Sequence, residues 1–137
     1  MKMNINIIDI VIFICVYTII IVEVFKEFKD KNIFYKCLVV LSSFYCLGET
    51  AQFTLIGPLW FRYWASDIGF VPMITLYFLS INRNPFLGIY TGGSVAIILE
   101  VSNIYYHKPG GDWIDVIIFI VTSTIVYFLI RNIKVKT

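Results

Sequence analysis

The chain has 137 residues, of which 59% are hydrophobic and 15% charged, with a net charge of +2 and a mean hydropathy of +0.84. Soluble domains carry nearer a quarter charged residues, and a nucleic-acid binder needs a basic face or a recognisable module; neither description fits. Phosphate loops, nucleophile elbows and paired metal-spaced histidines are also missing from the sequence, which implies no cofactor and no metal.

Apolar runs of helix-spanning length recur along the chain, and a bilayer core takes roughly 20 such residues per helix. The expected fold is an all-α, polytopic transmembrane bundle of about five helices in a single domain, 1–137. The first span covers about 5–25. It is longer than a signal-peptide core, is interrupted by Asp9, and is followed by no small-residue cleavage site. The second covers 33–56, the third 65–81, the fourth 86–106 and the fifth 114–131. Between them lie Lys26 to Asn32, Gly57-Pro58, Asn82-Arg83-Asn84-Pro85, and Lys108-Pro109-Gly110-Gly111, all of turn-forming character. The third span is the weakest, since Asp67 and Pro72 fall inside a short apolar stretch. Cys15, Cys37 and Cys46 all lie in apolar runs and read as buried small hydrophobes.

Alternate connections share a side of the membrane. Lys26, Lys29, Lys31, Lys36, Arg83, Arg131, Lys134 and Lys136 make eight cations on one side, against Lys2, Arg62 and Lys108, three on the other. The positive-inside rule then predicts an outer N-terminus and a cytoplasmic C-terminus. Six of the nine carboxylates (Asp9, Glu49, Asp67, Glu100, Asp112 and Asp115) gather at the outer face.

Glu49 and Gln52 in the second span, and Glu100 and Asn103 in the fourth, are carboxylate–amide pairs three residues apart, on one face of a helix. Each pair precedes an outer loop and an aspartate at the head of the next helix, which suggests a pseudo-repeat of two hairpins. Gly93, Ala96, Glu100, Asn103 and His107 form a stripe along the fourth span. Asp112, Asp115 and Thr122 share a face of the fifth, as Ser42, Cys46, Glu49 and Gln52 do of the second. Such stripes face protein or water, because a carboxylate in hydrocarbon costs several kcal/mol. A polar pocket open to the outside is therefore expected between spans two, four and five, with Arg62 and His107 partly neutralising it.

Plainer roles compete at several positions. Asp112 after Pro-Gly-Gly has the setting of a helix N-cap, Asp67 has that of a cap for the third span, and His107 that of an interfacial histidine. Arg62 is expected to pair with an acid. Trp60, Phe61, Tyr63, Trp64, Tyr105, Tyr106 and Trp113 read first as an aromatic belt at headgroup level, and otherwise as a ring wall beside the acids for a flat, lipidic or cationic ligand. Glu49 and Glu100 lie within apolar runs where no cap explains them. Intramembrane acids of this kind are functional-site candidates.

The run Glu100, Asn103, Asp112, Asp115 resembles the VanZ-like family of small polytopic bacterial membrane proteins, and Glu49, Gln52, Arg62, Asp67 looks like the same family's Glu-x-x-Gln…Arg…Asp run. The resemblance covers residues 45–131 at most and departs at Phe119, Thr122 and Val126, where that family usually has asparagine and glycines. It implies a cell-envelope role of the antibiotic-resistance kind.

The leading functional expectation is a membrane protein whose outer acidic pocket binds an envelope component, a lipid or an antimicrobial peptide, giving resistance or immunity. The alternative is an intramembrane enzyme in which Glu49 or Glu100 protonates a lipid or isoprenoid substrate. A proton- or ion-coupled carrier is less favoured, since only Glu23 lies inward of the two glutamates. The partners implied are the bilayer and a lipid-linked or hydrophobic ligand, with homo-oligomerisation a further option and nucleic acid excluded.

Overall fold

The computed structural model describes residues 31–108 and 111–134, together with Thr18 and Val22. The chain divides into two compact units, Met1–Lys31 and Asn32–Thr137. In the first, Thr18 and Val22 are helical and exposed; Asp9, Cys15 and most of the first predicted span lie outside the described residues. The second unit is helical throughout, with no strand among the described residues. Its helices are α1 (Ile33–Thr54), α2 (Leu59–Ser80), α3 (Phe86–Tyr105) and α4 (Trp113–Lys134).

Start signals are local. Asn32 caps α1 by accepting the Phe34 amide at 3.2 Å, and Asp112 caps α4 by accepting the Ile114 amide at 3.1 Å, satisfying first-turn donors that have no intrahelical partner. Pro58 precedes α2 in an extended conformation. Three connections turn through non-glycine residues with positive φ: Leu55 at 58°, Asn82 at 54° and His107 at 51°.

α1, α3 and α4 are long and apolar enough to cross a membrane, close to the predicted second, fourth and fifth spans. α2 departs from its prediction. It begins at Leu59 rather than 65, so Arg62 belongs to its first turns instead of a loop. Asp67 lies well inside the helix and cannot cap it. The ring-rich stretch Trp60 to Trp64, read as an outer loop, is the amphipathic start of this helix.

α2 is the middle of the bundle. It packs along α1 and α4 and meets the N-terminal part of α3. Ala65, Ser66, Gly69, Val71, Pro72, Thr75 and Leu76 are all buried. The α1–α2 crossing is a close approach of backbones. A Cβ on Gly48 would come within 2.9 Å of Ser66 Cα, and one on Gly69 within 2.6 Å of Tyr45 Cα. Small residues at helix contacts serve this purpose where lipid gives no hydrophobic drive.

α3 is not uniform. Ile89–Gly93 form a π-helical turn, which re-registers the faces above and below it. Below and within the turn the helix presses on α2. A Cβ on Gly88 would lie 2.7 Å from Thr75 Oγ1, and one on Gly92 3.0 Å from Ile74 Cδ1. Above it, from Ser94 to Tyr105, α3 packs on α4 and leaves α2.

Candidate functional site

Where α3 parts from α2 a cavity of about 260 Å³ opens. α1 supplies Tyr45 and Glu49 to its wall, and α2 supplies Ser66, Asp67 and Phe70. α3 supplies Val95, Ala96, Leu99 and Glu100, and α4 supplies Phe119. The site therefore joins all four helices, with α2 central, rather than the three spans expected from the sequence.

Three carboxylates on three helices face this space. Asp67 interacts electrostatically with Asp115, Glu100 and Glu49, strongest first. Asp115 is a fourth acid in this group, outside the cavity lining. Ser66 ties the acids to the helix pairing: its Oγ accepts from Gln52 Nε2 at 3.0 Å and lies beside the Glu49 carboxylate. The backbone N–H of Asp112 is directed at the Glu100 carboxylate, whose Oε2 is buried with no hydrogen-bond partner.

Aromatic rings form the apolar part. Tyr45 and Phe70 are 6.0 Å apart between centroids, and Phe70 meets Phe119 edge-on at 6.2 Å. Carboxylates beside ring faces suit a cation that also carries apolar surface.

The remaining predicted site residues are placed as follows. Gln52 acts through Ser66 and is itself exposed. Arg62 does not enter the cavity; its Nε is buried without a partner, and no acid pairs with it among the described residues. Asn103 holds the end of α3, where its carbonyl accepts the Lys108 amide at 2.9 Å, and the Gly111 backbone packs against Asn103 and Ile104. His107 is an exposed positive-φ residue in the turn after α3. Asp112 is the α4 cap. Trp60 and Trp113 are exposed, as belt residues would be, and Trp64 is half-buried. Within the fourth-span stripe only Ala96 and Glu100 reach the cavity; Gly93, in the π turn, faces Ser123 of α4. Thr122 is buried and satisfies its hydroxyl on the Ile118 carbonyl at 2.8 Å.

Cys46 is buried as expected, whereas Cys37, in the second turn of α1, is exposed. His/Cys/Asp/Glu groups able to hold a metal do not occur among the described residues. Sequence reasoning missed Tyr45, Ser66, Phe70, Val95, Leu99 and Phe119. Only Ser66 had a usable signal, as one of the small residues Ala65, Ser66 and Gly69 opposite Gly48 and Ala51.

The class of protein that this fold defines is all-helical, with three helices of the length and apolarity of membrane crossings. The chain matches no protein-family model, no curated protein and no solved structure.

Proposed function

We propose that the chain is a multi-pass membrane protein whose outward-facing acidic cavity binds a cationic, partly apolar component of the cell envelope, a lipid or an antimicrobial peptide, in a resistance or immunity role. The observation that carries this reading is the convergence of Glu49, Asp67 and Glu100 from three helices onto one ring-lined cavity, with no cation paired to them among the described residues. Intramembrane acids are expensive and need a partner. Here the ligand supplies it.

Five crossings follow if the apolar run 5–25 and α2 both span. A helix of 22 residues is about 33 Å long, which suffices for a hydrocarbon core of about 30 Å. The excess of Lys and Arg on one side of such a five-span chain favours an outer N-terminus and a cytoplasmic C-terminus, and so an outer cavity. The resistance role draws on the VanZ-like spacing of Glu100, Asn103, Asp112 and Asp115.

Expression in a sensitive bacterial host, challenged with a panel of cationic antimicrobial peptides, tests the role. Protection is expected from the native chain and lost on Glu49→Ala or Glu100→Ala at equal membrane level. Equal sensitivity of native and empty-vector cells to the whole panel sinks it.

A second reading, an intramembrane enzyme that protonates a lipid or isoprenoid, is favoured by the buried, unpartnered Oε2 of Glu100 in a cavity that also holds Phe70 and Phe119. Isomerised or cyclised product from purified protein and a lipid panel, seen by mass spectrometry, would select it over binding alone.

A further inference from the structure

The cavity has a direction. On one side of it α3 and α2 are close-packed, where Gly88 and Gly92 press on Thr75 and Ile74. Above the π turn, α3 rests on α4 and forms no packed interface with α1 or α2. A cleft is left between the outer half of α3 and the α1–α2 hairpin, with Glu49 on one wall and Glu100 on the other.

The rim of that cleft on the α3 side is aliphatic. Val95 and Leu99 line the cavity and are nevertheless 51% and 57% exposed. Leu99 lies six residues before the last residue of α3, Tyr105, or roughly 9 Å along the helix axis from its end. In a crossing helix that depth is within the hydrocarbon, not at the headgroups. Water is a poor neighbour for such a rim, and an acyl chain is a good one.

Resting on the reading of this cavity as a cation site, we infer that its ligand is a membrane-resident amphiphile bearing an amine, which reaches the acids laterally from the outer leaflet between α1 and α3. The ammonium sits among Glu49, Asp67 and Glu100, over the rings of Tyr45 and Phe70. The alkyl chain leaves past Val95 and Leu99 into the bilayer. A small water-borne cation would use the acids but have no need of the apolar rim.

Calorimetric titration of the full chain in lipid nanodiscs, with empty nanodiscs subtracted, tests this with three probes: dodecylammonium, ethylammonium and dodecanol. Saturable dodecylammonium binding at least tenfold tighter than that of ethylammonium is expected, with no saturable binding of dodecanol. Leu99→Trp, which narrows the rim, should weaken dodecylammonium at least fivefold and leave ethylammonium unchanged. Equal affinity for the two amines, with no selective effect of Leu99→Trp, overturns lateral access while the acidic site stands. Dodecanol binding as tightly as dodecylammonium overturns the cationic ligand class. Absence of binding by either amine removes the acidic-cavity reading together with this one. Should Leu99→Trp fail to fold, the comparison of chain lengths on the native protein decides.

Discussion

Ser66 Oγ accepts a hydrogen bond from Gln52 Nε2 at 3.0 Å, linking α2 to α1 beside the cavity. The Glu49 carboxylate lies beside the same hydroxyl, so one small side chain stands next to both members of the Glu49–Gln52 pair. It can do so because Gly48 lets the Ser66 backbone lie directly against α1.

Ser66→Ala is expected to cost about 1 kcal/mol, the usual net worth of an intramolecular hydrogen bond, read as a shift in thermal unfolding in micelles. It should also loosen Glu49 and weaken amine binding several-fold. Ser66→Thr, if accommodated, should retain part of both; an alanine variant equal to native in stability and binding would contradict the linking role.

Gly48→Val and Gly69→Val should be far more damaging. A Cβ at Gly48 would lie 2.8 Å from the Ala65 carbonyl carbon, and one at Gly69 2.8 Å from that of Phe44. Backbone cannot yield as a flexible side chain does, so losses at or beyond the upper end of the roughly 1–3 kcal/mol typical of overpacking are expected. Gly57→Ala offers the contrast. Its φ of +100° strains a side chain by about 1–2 kcal/mol, but there the nearest foreign atom is 4.0 Å away. Folded yield from membranes should rank native, Gly57→Ala, then the two valine variants.

Thr75 is fully buried, and its Oγ1 has no hydrogen-bond partner. Most such hydroxyls in the bundle bond a preceding carbonyl, as Thr50 does on Cys46 at 2.7 Å, with Ser123 a second exception. Thr75→Val keeps the shape and removes the stranded oxygen. It should be neutral or stabilising by up to about 1–3 kcal/mol; marked destabilisation would reveal a partner for the hydroxyl.

Asp112 and Asp115 should separate in function despite their common motif. Asp112→Ala removes the α4 cap and is expected to lower stability by about 1 kcal/mol with little change in amine affinity. Asp115→Asn should spare the cap but alter binding through its interaction with Asp67. The reverse pattern would place the site nearer the α3–α4 turn.

The parts of this site that sequence reveals are those that break a pattern. Glu49 and Glu100 stand out because a charge inside an apolar run needs a reason, and both line the cavity. Asp67 is visible too, but its setting is not. The rings from Trp60 to Trp64 look like an interfacial loop, whereas Pro58 starts a helix there and buries one side of it against α1. Asp67 and Pro72 weaken α2 as a predicted span, but Pro72 is buried against neighbouring helices and Asp67 faces the cavity. Tyr45, Phe70, Leu99 and Phe119 could not be told from lipid-facing residues, because both environments select the same side chains. The π turn at Ile89–Gly93 likewise leaves no periodicity that would forecast where α3 parts from α2. His107 and Asn103 fit the predicted stripe by spacing, but the turn after α3 engages them in ending the helix.

Binding of dodecylammonium to the native chain and to Asp67→Asn, titrated side by side in nanodiscs, tests the acidic cavity most directly. Asparagine keeps the size of the side chain and removes only its charge. Loss of a charged contact worth about 1.5–3 kcal/mol predicts affinity weaker by about 10- to 100-fold, with the fold of the variant intact by circular dichroism. Unchanged affinity in a folded Asp67→Asn protein would contradict the account.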